Sequence, residues 1–217
     1  DSPMRDRVLF DCTAQAASGM MWLNAADGGA GRLTKFAPGD TLTGVYAAVG
    51  AMAGLMNRGK EPGPHYVDLS LYDVLFSSLG TGVADYLLHG NLPVNNGNRD
   101  DFNAPVNVFK TSDGHVYLHA GTSALWRRMC VEVLGRPELA EDERFATPAD
   151  RMANRVAAES IVEAWTAEHT AEQVEVRLSE VGIPCGIVSD LAAAATSPQV
   201  AAREMVLRTV DSDGDEV

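Results

Sequence analysis

The stretch Lys35–Arg58, KFAPGDTLTGVYAAVGAMAGLMNR, constrains this 217-residue chain more than any other. Leu42, Val45, Tyr46, Val49, Met52, Ala53 and Met56 recur at helical spacing, and Ala47, Ala48, Ala51 and Gly54 fill most of the remaining circumference. The pattern predicts a helix that is buried nearly all round. Its apolar run of roughly 16 residues falls short of the ~20 needed to span a bilayer, so no membrane segment is expected. Pro38, Gly39 and Asp40 stand at its start. An aspartate before a helix is most often an N-cap, whose oxygen accepts an N–H of the first turn and whose charge suits the positive helix end. The Pro-Gly approach and the small surface around Gly44 leave the same carboxylate accessible, and an accessible, ionised carboxylate is also a nucleophile toward an activated acyl group.

The rest of the chain reads as an α/β rhythm followed by a different one. Ala14–Leu23 predicts a short helix, and residues 26–31, ADGGAG, a break. Tyr66–Leu71 alternates as a strand, and a helix is expected from about Asp73 to His89. Helix, turn, strand, helix points to a mostly parallel sheet in an α/β layer. Residues 90–105, GNLPVNNGNRDDFNAP, lack periodicity and form a long loop, in which Arg99 is a natural anion partner or a partner of Asp100 or Asp101. Two alternating runs around Ser112-Asp113-Gly114 then predict a hairpin that opens a second, α+β unit. Helices are expected at about 122–135, 148–168 and 171–181, with a short strand in GIPCGIVSD. A helix with a Ser-Pro interruption follows at LAAAATSPQVAAREM, and a strand leads into the acidic end. The boundaries are 1–89 for the first domain, 90–105 for the loop, 106–190 for the small domain and 191–217 for a return segment.

Composition removes several function classes. With 17 Lys and Arg against 30 Asp and Glu, a net charge of −13, the chain repels a phosphate backbone, so nucleic acid is not an expected partner. Cys12, Cys130 and Cys185 are far apart and odd in number, which suits neither a disulfide framework nor a zinc site and points to a reducing, cytoplasmic setting. His115 and His119 share a strand face but lie about 13 Å apart at ~3.3 Å per residue, too far to share a metal, and no metal site is expected. The start, DSPMRDRVLF, has no signal-peptide pattern and reads as a start inside a longer protein.

Five stretches in order resemble the class III coenzyme A transferases, the family of formyl-CoA and carnitine CoA-transferases and of the 2-methylacyl-CoA racemases. They are MRDRVLFDCTAQAASGMM, PGDTLTGVYAAVGAMAGLMNR, GPHYVDLSLYD, NGNRDDFNAPVNVFKTSDGHVYL, and ELAEDERFATPADRMANR with GIPCGIV. The resemblance implies a partial Rossmann-like large domain with a parallel sheet and a small α+β domain, in two chains interlocked as a homodimer. The first half of the Rossmann unit precedes this chain in the family, and a piece of this length is not expected to be active alone.

By the same resemblance Asp40 falls on the catalytic aspartate, which attacks an acyl-CoA thioester and passes through a mixed anhydride to an aspartyl-CoA thioester. Val8, Phe10, Asp11 and Leu71 fall on positions lining the CoA and acyl pocket, and Gly97 and Asn98 on the start of a loop that covers the nucleophile. The implied substrates are an acyl-CoA and a carboxylic acid, with no tightly bound cofactor. Racemase members carry a histidine where this chain has Phe10, so a two-base proton transfer lacks one base and transfer is preferred. The alternatives are an acyl-CoA racemase or isomerase, and a non-catalytic CoA-ester-binding member. The covering-loop stretch has one glycine where the formyl-CoA enzymes have several, which argues against oxalate-type specificity.

Overall fold

The computed structural model describes residues 2–25, 29–60, 63–93, 95–207, 209 and 212–214. The chain divides into two compact units, residues 1–97 and 98–217.

In the first unit, α1 (Asp11–Ser18) and α2 (Met20–Leu23) replace the single predicted helix, because Gly19 between them adopts φ 95°, a left-handed turn that no helix continues through. Three of the residues of the predicted break, 26–28, lie outside the described set. The long helix is present as α3 (Pro38–Asn57). Its burial differs from expectation: Val45, Val49, Met52 and Met56 are 55–82% exposed. Periodicity assigns a side chain to an angle around the helix, whereas burial needs a neighbour at that angle. Within this unit α1, the helix that begins at Leu71 and the segment around Val67 come against α3, on its Gly39, Gly50 and Gly54 flank. A Cβ at Gly50 would lie 2.8 Å from Val67 Cγ1, so glycine is what permits that approach.

The expected strand at Tyr66–Leu71 is not found, and the described residues of this unit contain no strand and no parallel sheet. A strand exists only through a ladder, and nothing among those residues pairs with this segment. The helix expected from Asp73 to His89 is two, α4 (Leu71–Ser77) and α5 (Thr81–His89), separated at Gly80 with φ 66°. Ser70 caps α4 by accepting the Asp73 N–H at 3.1 Å.

The second unit contains the hairpin, β1 (Val106–Lys110) and β2 (His115–His119), with Val108 opposite Tyr117. In the turn Thr111 N–H donates to Gly114 C=O at 2.9 Å. The expected short strand is β3 (Cys185–Ile187), antiparallel to β2, giving the order β1-β2-β3. Strand alternation buries Val116 and Leu118 and exposes His115 and Tyr117. Helices α6 (Ser123–Arg128), continued by a π-helical turn at Met129–Val133, α7 (Glu138–Glu141), α8 (Pro148–Ala153), α9 (Arg155–Thr166) and α10 (Ala171–Glu180) follow the hairpin. Their apolar faces and the buried sheet face share one core, in which Trp126 meets Phe145 edge-on at 5.6 Å. The Ser-Pro interruption separates α11 (Leu191–Ala195) from α12 (Pro198–Ala202). No strand follows among the described residues, and much of the acidic end lies outside them.

The buried Arg151 ties three loops of this unit together. It donates Nε to Ala104 C=O at 3.0 Å, and Nη1 and Nη2 to Phe145 C=O and Gly121 C=O at 2.7 Å each. Its own α8 starts at a capping box in which Thr147 accepts the Asp150 N–H and Asp150 accepts the Thr147 N–H. Burial disfavours its charge and draws its pKa down, and the three carbonyls compensate.

Candidate active site

Asp40 is not the cap of α3. The N-cap is Ala37, in a left-handed conformation at φ 51° and without a side-chain cap bond; Pro38 follows at the first helical position, where its missing N–H leaves nothing unsatisfied. The next N–H, that of Gly39, is accepted by Asp11 Oδ1 at 2.7 Å. The capping task is therefore met from another helix. Asp40, the third residue of α3, is exposed, and its carboxylate makes no hydrogen bond or ion pair among the described residues. One turn further on, the Thr43 hydroxyl is out of solvent and without a hydrogen-bond partner among the described residues.

Asp11 reaches Gly39 because α1 presents Asp11, Ala14, Gln15 and Ser18 on one face, at positions i, i+3, i+4 and i+7. Ala14, Gln15 and Ser18 are buried there. The second oxygen of Asp11 accepts Gln15 Nε2 at 2.6 Å. Gln15 also pairs with the backbone of Thr34, donating to its C=O and accepting its N–H at 2.9 Å each. Leu75 of α4 closes the other side: a Cβ at Gly39 would lie 2.8 Å from Asp11 Oδ1 and 3.2 Å from Leu75 Cδ1. Only glycine admits both neighbours.

The other sequence-derived positions are less gathered. Val8 and Phe10 are 85% and 72% exposed. Leu71 lines a cleft of about 550 Å³ together with Arg5, Arg7, Leu9, Asp68 and Tyr72. Residues 7 and 9 thus face the cleft, whereas 8 and 10 are open to solvent. Gly97, at φ 72°, and Asn98 are exposed in a turn. The Arg99 guanidinium grips Glu159 of α9 through Nε and Nη2 at 2.9–3.0 Å, a partner the sequence reading did not name. Sequence reasoning did not single out Gln15, Arg5 or Arg7. The signal for Gln15 was an amide four residues after Asp11, on the face of a helix otherwise made of alanine and serine.

The model of CoA-transferase family III matches residues 1–217. The chain is 27% identical over 216 residues to the succinyl-CoA–D-citramalate CoA-transferase of Chloroflexus aurantiacus, covering 99% of this chain and 54% of that protein. It is 33% identical over 207 residues to the succinyl-CoA:mesaconate CoA-transferase of Haloarcula hispanica, covering 94% and 50% respectively. The chain therefore spans about half the length of the curated relatives it matches. Among solved structures, a CaiB/BaiF family protein from Brucella suis superposes with a TM-score of 0.83 at 27% identity, over 100% of this chain and 60% of that one.

Proposed function

The chain belongs to CoA-transferase family III, and on that premise we propose that it carries the nucleophile of an enzyme that moves coenzyme A between an acyl-CoA and a carboxylic acid. The observation that carries this reading is the division of labour at the start of α3: Asp11 takes the Gly39 N–H, and the Asp40 carboxylate stays exposed and unbonded among the described residues. Relatives named as succinyl-CoA transferases make a succinyl-CoA donor the first to test.

The proposed sequence needs no proton transfer. An Asp40 oxygen attacks the thioester carbonyl carbon, the C–S bond breaks, and CoA leaves as a thiolate, giving a mixed anhydride. The thiolate attacks the aspartyl carbonyl, releasing the donor acid and leaving an aspartyl-CoA thioester. The acceptor carboxylate attacks that carbonyl and expels the thiolate, which then takes the acceptor's acyl carbon and frees Asp40. A carboxylate nucleophile replaced by a thiolate requires orientation and exclusion of water more than a base. Phe10, where racemase relatives have histidine, accords with this. We assign Val8, Phe10, Asp11 and Leu71 to the walls of the CoA and acyl pocket, and Gly97 and Asn98 to the loop that covers the nucleophile. A Rossmann-like sheet completed outside the described residues, and a homodimer, belong to the same proposal.

The test is to incubate the full-length protein with succinyl-CoA and other acyl-CoA thioesters, trap with hydroxylamine or borohydride, and locate the modification by mass spectrometry. Modification at Asp40 and loss of transfer in Asp40→Ala are expected. Transfer that survives Asp40→Ala with Asp40 unmodified in the parent would sink the assignment.

A further inference from the structure

Gln15 is completely buried, yet every polar atom of its amide is directed at the approach to α3. An amide has two N–H donors, and here one goes to Thr34 C=O and one to Asp11 Oδ2, while Oε1 accepts the Thr34 N–H. Pairing with both the N–H and the C=O of one residue also decides which end of the amide is which. Turned over, it would set donor against donor and acceptor against acceptor at Thr34. The hydrogen that reaches Asp11 is therefore held in place by the backbone at Thr34. Asp11 in turn holds the Gly39 N–H, in the residue that precedes Asp40.

We propose that Gln15 is a positioning residue for Asp40. A single buried amide fixes both the chain entering α3, through Thr34, and the carboxylate that secures its first turn, through Asp11. The inference rests on the reading of Asp40 as the nucleophile. Gln15 itself touches no reacting atom. Its effect follows from geometry: attack on a thioester carbon needs reacting atoms about 3–3.5 Å apart, and a displacement of about 1 Å costs on the order of a hundredfold in rate. Without the amide, Asp11 loses one of its two donors and has less reason to stay turned toward Gly39.

The experiment uses the full-length protein, a set of acyl-CoA thioesters including succinyl-CoA, and two variants. Gln15→Met keeps the length and removes all three hydrogen bonds. It is expected to lower kcat and the rate of Asp40 modification about a hundredfold, with KM for the acyl-CoA within about threefold. Gln15→Glu still accepts the Thr34 N–H, but the introduced carboxyl donates to Asp11 only when protonated. Its activity is therefore expected to fall as pH rises through the titration of that carboxyl pair, where the parent shows no such loss. A role in packing alone predicts a lower Tm with parental kcat below that Tm and a parental pH profile, and that result overturns the proposal. Should Gln15→Met fail to fold, the pH profile of Gln15→Glu decides. A parent protein unmodified at Asp40 by every thioester overturns the nucleophile assignment and this inference with it; a modified parent with equally fast variants overturns the positioning role alone.

Discussion

Asp11 Oδ1 accepts the backbone N–H of Gly39 at 2.7 Å, and that one bond separates two tasks that an aspartate at a helix start usually performs together. Asp11 secures the helix from outside it. The Asp40 carboxylate is exposed and makes no hydrogen bond among the described residues.

Replacing the hydrogen at Gly39 by a methyl group tests this arrangement directly. The new carbon would meet Asp11 Oδ1 at 2.8 Å and Leu75 Cδ1 at 3.2 Å, and Leu75 is fully buried. Gly39→Ala is expected to destabilise the protein by about 1–3 kcal/mol through overpacking and a displaced hydrogen bond. Urea unfolding measures the loss, and CoA-transfer activity should fall further than stability does.

Arg151 predicts a larger effect in the second unit. Its removal strands the buried carbonyls of Ala104, Phe145 and Gly121, each worth about 1–3 kcal/mol when unsatisfied. Arg151→Met, similar in length and apolar, is expected to cost about 3–5 kcal/mol. Arg151→Lys should recover little, since one ammonium cannot reach three carbonyls set around a planar fork. Chemical denaturation with both variants checks the ranking.

The cysteines give a pH-dependent prediction. Burial pushes the Cys130 thiol up from its ordinary 9.0 to about 12 and the Cys185 thiol to about 11. Both groups are harder to ionise folded than unfolded, so their contribution to stability is complete below about pH 9 and is lost as pH rises toward 11–12. At pH 8 a thiol titrating near 12 is ionised to only about one part in ten thousand, so alkylation of Cys130 by iodoacetamide should await unfolding. Cys12 is exposed and should be alkylated in the native chain. Peptide mapping with and without denaturant reads all three sites.

Arg99 and Glu159 should behave as a coupled pair. The carboxylate side chain is 8% exposed and the guanidinium 29%, and three hydrogen bonds join them. A double-mutant cycle with Arg99→Gln and Glu159→Gln is expected to give a coupling of about 1–3 kcal/mol, against the ~0–1 typical of surface pairs such as Arg127–Glu141. High salt should reduce the surface coupling more than the Arg99–Glu159 one.

What the sequence made legible follows from the range of the forces involved. The Asp113-Gly114 turn, the helix at about 171–181 and the period of α3 are set within a few residues, and these elements appear as expected, whereas the helix expected at 148–168 is two, α8 and α9, parted at Asn154. The helix breaks at Gly19 and Gly80 were missed because a glycine inside an apolar run marks a left-handed turn only when the surrounding packing selects it. Arg99 was read as an anion partner or a partner of Asp100 or Asp101, and its bonds to Glu159, 60 residues away, were not legible locally. The local pattern favoured a cap at Asp40 beside the nucleophile reading, because nothing local shows that a carboxylate 29 positions earlier will take the capping role (Asp11 accepting at Gly39). The resemblance implies Asp40 as the nucleophile; the hydrogen bonds show that Asp11, not Asp40, takes the Gly39 N–H and that Asp40 is exposed.

The bare flank of α3 bears on which substitutions the chain can accept. Val45, Val49, Met52 and Met56 form a stripe that contributes little to holding this unit together, since each is more than half exposed. A continuous exposed apolar stripe of this kind favours association. Polar replacements along it should leave the unfolding free energy of the unit almost unchanged while improving its behaviour in solution. Those four side chains are therefore apolar at positions that the unit's own stability does not require.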